Sequence, residues 1–287
     1  MPTLQIARSW FLKHRFRLFP LGYRTSATPR VLALVLAALF PAFSAIASHA
    51  QKDEAVHIAA ASDLQPVLPF LAAEYEHRTG VRVVPSFGSS ATLTQMIVNG
   101  LPTDLFLSAD TDHPQQLVKA GLATDLVPYA HGSLVLWARN DSPAQPLSKT
   151  TFTSDKLQKL AVANDLHAPY GLAATQALKA LGLYDKVKPK FVVGENISQT
   201  AQFALTGNAQ AGLISLTIAS SRPYKDVGTF WVVPKVYADI QQSAVIISAS
   251  QNRGAAIAFL TWLTSQPVQK LLPQYGLEPA RRANDAP

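Results

Sequence analysis

The hydrophobic pattern of the chain alternates between short apolar runs and longer segments whose apolar residues recur at helical spacing. Residues 56–60 predict a buried strand, and residues 62–79 predict a helix that Gly80 ends. Pro69 lies early in that helix and predicts a kink or a delayed start. The pattern predicts further strands over 81–87, 104–108, 133–138, 160–163, 191–193, 211–216, 229–233 and 243–248. It predicts further helices over 90–99, 111–120, 170–181, 197–206 and 254–275, the last with a break at Pro267.

This alternation of strand and helix is typical of a mostly parallel sheet covered by helices. It occurs in two series, which predicts an α/β protein of two lobes joined by hinge strands near residues 133–138 and 241–248. The predicted division places residues 51–132 in lobe I and residues 133–244 in lobe II. The C-terminal segment, from about 245 to 287, is expected to pack back on lobe I.

The charge of the chain is concentrated at its N-terminus. Six of the 25 Lys and Arg residues lie within residues 1–30, which contain no acidic residue. From Gln51 onward, 19 basic residues stand against 18 acidic ones, so the predicted mature protein is nearly neutral. A nucleic-acid-binding protein normally carries a basic face on its folded part. The composition therefore argues against a nucleic-acid partner.

Residues 1–50 have the features of an export signal. A basic segment ends at Arg30, a short apolar stretch follows, and Ser48-His49-Ala50 offers a cleavage site near Ala50. The apolar stretch is shorter than the ~20 residues that a membrane span needs. We therefore expect a cleaved signal and a protein that is released into the periplasm, with an uncleaved anchor helix as the alternative. The chain contains no cysteine, which excludes disulfides and cysteine-ligated metals.

Small and hydroxyl residues follow four of the predicted strands, at the points where helices begin. These junctions are residues 59–63, 87–90, 168–171 and 194–198. In open α/β sheets, ligands bind beyond the carboxyl ends of the strands, and helix N-termini there offer unpaired N–H groups to anions. Residues of these types also serve as ordinary helix caps. The pattern alone leaves both interpretations open, although two junctions in each lobe suit a cleft.

Two of these segments resemble a known family. The runs Gly88-Ser89-Ser90 and Asn99-Gly100-Leu101-Pro102-Thr103-Asp104-Leu105-Phe106-Leu107-Ser108-Ala109-Asp110 are similar to the pattern of periplasmic molybdate-binding proteins. Further similarity lies at residues 60–62, 168–171, 194–199, 206–209 and 212–216. The resemblance extends from about Val56 to the C-terminal helices. It implies a type II periplasmic-binding-protein fold whose two lobes close on one oxyanion.

The resemblance also implies a function and a set of binding residues. It implies a monomeric carrier that binds molybdate or tungstate, without a cofactor, and delivers it to the membrane permease of an ABC importer. The ligands that it implies are the hydroxyl and backbone N–H groups of Ser62 and Ser90, the N–H group and the phenol of Tyr170, and the backbone N–H of Ile197. Ser89 and Ser215 are weaker candidates. At the position of Ser215, many relatives have a tyrosine. Asp63 would repel a dianion, so we expect it to cap its own helix.

Two other functions are compatible with parts of this pattern. The same scaffold suits sulfate, thiosulfate or another small anion, because fold does not determine the ligand. An exported hydrolase is a further alternative, but the chain has no G-x-S-x-G or H-E-x-x-H motif. Its histidines lack the spacing of metal ligands, and Asp104 and Asp110 are expected to be structural. We therefore predict a binding protein without catalytic residues or a metal cation.

Overall fold

The computed structural model describes residues 55–280, and these form two β-sheets flanked by helices. The predicted signal segment and cleavage site lie outside the described residues. The strands are β1 (Ala55–Ala61), β2 (Arg82–Gly88), β3 (Leu105–Ser108), β4 (Ala123–Gly132), β5 (Leu134–Arg139), β6 (Leu160–Ala163), β7 (Phe191–Gly194), β8 (Ala211–Ser215), β9 (Gly228–Val232), β10 (Ile240–Ile247) and β11 (Glu278–Pro279).

The helices lie between these strands and on the faces of the two sheets. They are α1 (Leu68–Thr79), α2 (Ser90–Val98), α3 (Asp112–Lys119), α4 (Pro169–Ala180), α5 (Tyr184–Val187), α6 (Ile197–Leu205), α7 (Leu216–Ala219), α8 (Tyr224–Val227), α9 (Arg253–Leu263) and α10 (Gln266–Gln269). Short 3₁₀ helices occupy Ser62–Leu64, Lys149–Thr153, Lys188–Lys190 and Leu272–Tyr275. No helix among residues 55–280 has both the length and the apolar character that a membrane crossing requires.

The first lobe is the six-stranded sheet, in the order β11-β4-β10-β3-β1-β2, with its helices. The second lobe is the five-stranded sheet, in the order β7-β6-β8-β5-β9, with its helices. The chain passes between the sheets at Ser133 and again over residues 233–239. Residues 240–244, which the predicted division assigned to lobe II, pair with β3 and β4 in the first sheet.

The two-sheet α/β architecture is as predicted, but the sheets are mixed rather than mostly parallel. Strand β1 pairs in parallel with β2 and β3, and β6 pairs in parallel with β7 and β8. The pairs that β10 forms with β3 and β4, and those that β5 forms with β8 and β9, are antiparallel. The antiparallel strands arise because the chain enters each sheet from the other lobe without an intervening crossover helix.

Hydrophobic cores on both faces of the first sheet hold the strand ends in place. Strand β1 alternates between them, with Val56 and Ile58 in one core and Ala59 in the other. The second lobe has its own core, in which Trp137 is fully buried. Helix α1 begins only at Leu68, with Pro69 in its first turn, and Gly80 ends it with φ at 73°. Of the two predicted effects of Pro69, a kink or a delayed start, the structure shows the delayed start.

Candidate functional site

A small cavity lies between the two lobes, where strand ends from both sheets meet the starts of helical segments. Its volume is about 10 Å³, and Ser62, Ser90, Tyr170 and Ile197 all contribute to its lining. No lysine, arginine or histidine is among the residues that line it. All four predicted junctions therefore converge on one cavity without basic side chains, two from each lobe.

Ser62 and Ser90 stand at the ends of neighbouring strands in the first lobe. Strands β1 and β2 pair in parallel through Ala61 and Gly88, so the residues that follow them emerge at the same edge of the sheet. Ser62 opens a 3₁₀ helix and Ser90 opens α2, and both side chains are buried. Their proximity follows from the register of the two strands.

The hydroxyl group of Ser90 is held in place and still has a hydrogen to donate. Its Oγ accepts a hydrogen bond from the backbone N–H of Ala109 at 3.2 Å. A serine hydroxyl can accept in this way and donate its own hydrogen elsewhere. Ser89, which also lines the cavity, has a different role, because its Oγ caps α2 by accepting from the N–H of Thr92 at 3.2 Å.

The second lobe contributes the N-termini of α4 and α6. Tyr170 is the second residue of α4, after Pro169, and Ile197 is the first residue of α6. The first N–H groups of a helix have no partner within it, and the helix dipole places partial positive charge there. The side chain of Ile197 packs into the second-lobe core, so its backbone N–H is the group available to the cavity.

The carboxylate of Asp63 takes part in a buried hydrogen-bond network instead of capping its own helix, which corrects the expectation for this residue. Its Oδ2 accepts from the phenol of Tyr170 at 3.2 Å and from Nε2 of Gln242 at 2.5 Å. Asp63 belongs to the first lobe and Tyr170 to the second, so the network joins the two lobes. The phenolic hydrogen of Tyr170 is thereby committed to Asp63.

Burial changes the acid strength of both groups. Removal from water raises the pKa of Asp63 to about 7, against the opposing effect of the hydrogen bonds from Gln242 and Tyr170. Burial also raises the pKa of the Tyr170 phenol well above its ordinary value, and the nearby Asp63 carboxylate adds to that effect. Tyr170 therefore stays protonated and acts as a donor.

Residues 56–278 match the family model of the bacterial extracellular solute-binding proteins. The chain is 34% identical over 262 residues to the molybdate-binding protein ModA of Rhodobacter capsulatus, covering 90% of this chain and 97% of the relative. It is 36% identical over 242 residues to the corresponding protein of Azotobacter vinelandii, covering 80% and 92%. The chain belongs to the bacterial extracellular solute-binding proteins.

The structure of this solute-binding protein agrees with the sequence comparison. It superimposes on the periplasmic molybdate-binding protein of Azotobacter vinelandii with a TM-score of 0.74 at 30% identity, over 79% of this chain and all of the other. The predicted resemblance to the molybdate-binding family is confirmed by these matches.

Further contacts across the cleft show that the solute-binding protein adopts a closed form. Ser198 Oγ donates to the carbonyl oxygen of Ser62 at 2.9 Å. The backbone N–H of Ala91 donates to the carbonyl oxygen of His167 at 3.2 Å, so α2 and the start of α4 are tied together. Sequence reasoning missed Ser198 and Gln242. The sequence did offer a signal for Gln242, because a side-chain amide within an apolar strand needs a buried polar partner.

Two groups of predicted residues lie away from the cavity. The hydroxyl of Ser215 caps α7 and pairs with Thr217 Oγ1 at 2.7 Å, and Ser215 does not line the cavity. Asp104 accepts from the N–H of His57 at 2.8 Å, and Asp110 accepts from His113 Nδ1 at 2.6 Å. Within residues 55–280, no group of three or more acidic or histidine side chains is arranged to hold a metal ion.

Gly171 allows α4 to begin close to the end of β6. A Cβ atom at this position would lie 2.5 Å from the carbonyl oxygen of Ala163 and 2.7 Å from that of Asn164. We expect Gly171→Ala to destabilise the protein by about 1–3 kcal/mol and to displace the N–H of Tyr170 from the cavity. Thermal unfolding and anion titration would measure both effects. Gly254→Ala in α9 is the control, because a Cβ there meets no atom within 4 Å and stability should not fall.

Proposed function

We propose that this protein captures molybdate in the cleft between its lobes and delivers it to the membrane permease of an ABC importer. The observation that carries the proposal is the convergence of four strand-to-helix junctions on a cavity without basic side chains. The relatives named above, which carry the name molybdate-binding protein, support the same ligand. Tungstate has the same shape and charge and is included in the proposal.

The proposed ligands are Ser62 and Ser90 from the first lobe and Tyr170 and Ile197 from the second. Ser62 and Ser90 would donate through their hydroxyl and backbone N–H groups, and Ile197 through its backbone N–H. Tyr170 would also donate through its backbone N–H, because its phenol donates to Asp63. Neutral donors satisfy a desolvated dianion without a basic side chain, and they suit an anion that is fully deprotonated at neutral pH.

The mechanism that we propose is closure of the lobes about the crossings at Ser133 and residues 233–239. An anion that bridges donors from both lobes binds the closed form more tightly than the open form and therefore shifts the population toward it. The first lobe would comprise residues 51–132 and the C-terminal segment, and the second lobe the residues between the crossings. The closed protein would then dock on the permease.

Further parts of the proposal concern the protein's location and chemistry. Residues 1–50 would act as a signal peptide cleaved near Ala50, which places the mature protein in the periplasm. We propose that it acts as a monomer, uses no cofactor, binds no nucleic acid and catalyses no reaction. The near neutrality of the chain from Gln51 onward supports the absence of a nucleic-acid partner.

Isothermal titration of residues 51–287 tests the ligand. We expect molybdate and tungstate to bind one anion per protein, and sulfate and thiosulfate to bind at least 100-fold more weakly. The reason is that the distances among fixed donors select an oxyanion by size. Sulfate binding more tightly than molybdate would reassign the ligand on the same scaffold. If none of the four anions produced binding heat or raised the melting temperature, the proposed function would be rejected.

A further inference from the structure

Asp63 is a fully buried acid that lines the proposed anion cavity. Its exposed fraction is 0%, and it follows directly after Ser62 at the end of β1. The carboxylate Oδ2 accepts hydrogen bonds from Tyr170 and Gln242, whereas Oδ1 has no hydrogen-bond partner among the described residues. One acidic oxygen is thus buried beside the cavity without a donor.

The surroundings of Asp63 supply hydrogen bonds but no positive charge. The groups that influence it are the amide of Gln242 on β10, the phenol of Tyr170 on α4 and the backbone N–H groups of Asp63 and Leu64, all neutral. Tyr129 on β4 also faces Asp63, and the negative charges of Asp63 and Asp110 help to raise the pKa of its phenol. Tyr237 lies near Tyr170. No lysine, arginine or histidine of the described chain is among the influences on the pKa of Asp63.

A dianion in this cavity would therefore meet a second buried negative charge if Asp63 were ionised. Two like charges in a site that excludes water repel strongly, and such pairs relieve the repulsion by binding a proton. The neighbouring donors hold Oδ2, which leaves Oδ1 as the oxygen that can receive the proton. An Oδ1–H group would be a donor, as are the hydroxyl groups of Ser62 and Ser90.

We propose that Asp63 is a further residue of the anion site and acts as a neutral carboxylic acid, so that the protein takes up one proton together with the oxyanion. The proton comes from the solvent and binds Oδ1, while Oδ2 keeps its bonds to Tyr170 and Gln242. This inference rests on the proposed function, because it requires a dianion in the cavity. The pKa of about 7 in the absence of the anion is consistent with it.

The sign of the pH dependence follows from linkage. At any pH where Asp63 is ionised in the anion-free protein, the anion-bound protein holds one more proton than the anion-free protein. Affinity therefore falls as pH rises above about 7, by up to tenfold per pH unit, and the fall weakens at lower pH. Molybdate is fully deprotonated over this range and contributes no proton of its own.

The test is isothermal titration of the whole mature chain with sodium molybdate at pH 8 in several buffers with different enthalpies of ionisation. The dependence of the observed heat on buffer enthalpy gives the number of protons taken up. We expect close to one for the wild type. A parallel series from pH 7.5 to pH 9 should show the dissociation constant rising with pH. The variant Asp63→Asn should bind molybdate with no proton uptake and no such rise.

Two further variants distinguish Asp63 from other groups. His167→Gln removes a histidine near the cleft and should leave the uptake at pH 8 unchanged. Tyr170→Phe removes a donor to the Asp63 carboxylate, so the pH at which uptake begins should move upward. This variant keeps the test decisive if Asp63→Asn does not fold.

The outcomes separate this inference from the proposed function. Molybdate binding with no proton uptake by the wild type, or with equal uptake by Asp63→Asn, would overturn the role of Asp63 and leave the function intact. Absence of molybdate binding by the wild type at every pH would instead reject the proposed function on which the inference rests.

Discussion

Ser90→Ala is expected to weaken molybdate binding by about 10- to 100-fold. The substitution removes a hydroxyl that donates to a charged ligand in a buried site, and such hydrogen bonds contribute roughly 1.5–3 kcal/mol. It also removes the acceptor of the Ala109 N–H, which is 3.2 Å from Ser90 Oγ. A buried donor without a partner costs about 1–3 kcal/mol, so the melting temperature should fall as well. Titration calorimetry and thermal unfolding measure the two effects separately.

Ser89→Ala is the matched control, because it changes the neighbouring residue in the same way. Ser89 Oγ caps α2, and loss of a cap costs about 1 kcal/mol of stability. The affinity of the Ser89→Ala variant for molybdate should stay within about threefold of that of the wild type. If Ser89→Ala lost as much affinity as Ser90→Ala, Ser89 would replace Ser90 in the proposed set of ligands.

Ile197→Pro should lower molybdate affinity by about 10- to 100-fold while α6 remains formed. Proline is tolerated at the first position of a helix, where its missing N–H has no intrahelical partner. The preceding residue, Asn196, has φ at −143° and ψ at 175°, which a following proline permits. The substitution therefore removes a single N–H donor from the cavity. Titration calorimetry well below the melting temperature measures the loss.

Ile197→Val and Ile197→Ala provide the controls for side-chain volume. Both keep the N–H group, and both remove methyl groups from the second-lobe core, so they lower stability by about 0.5–5 kcal/mol. Neither should reduce affinity as Ile197→Pro does. Equal loss in all three variants would mean that packing, and not the N–H group, supports the site.

The positions of the four junctions were predictable from the sequence. Each lies where the apolar pattern changes from the spacing of a strand to that of a helix, so strand ends such as Gly88 and Gly194 could be located within about a residue. Their convergence on one cavity is a property of the fold, which the pattern suggests only through two similar series of elements. The resemblance to the molybdate-binding family selected the ligand residues among them.

Strand β4 was not predicted because apolar and polar residues do not alternate regularly along its sequence. Asp125 adopts a φ of 58°, and the pairing of β4 with β10 shifts register at two places. Each irregularity reverses which side chains face the core, so buried and exposed positions do not alternate. The mixed character of the first sheet was missed for a related reason, since β10 reaches it from the second lobe.

The hydrogen-bond network around Asp63 could not be predicted from the sequence, because its members are far apart in the chain. Gln242 lies 179 positions from Asp63, and Tyr170 lies 107 positions from it. A local pattern assigns an acid at a helix start to capping, which is the commoner role. Only the closed arrangement of the lobes places a phenol and an amide on that acid.

The two crossings between the sheets determine the order in which the lobes can fold. Strand β10 lies between β3 and β4 in the first sheet, but it follows the whole second lobe in the chain. The second lobe is a continuous segment of the chain, so its sheet can form without the first lobe. The first lobe cannot complete its sheet until β10, which follows the whole second lobe, is added between β3 and β4. Until β10 is in place, the unpaired edges of β3 and β4 are open to pairing with another chain.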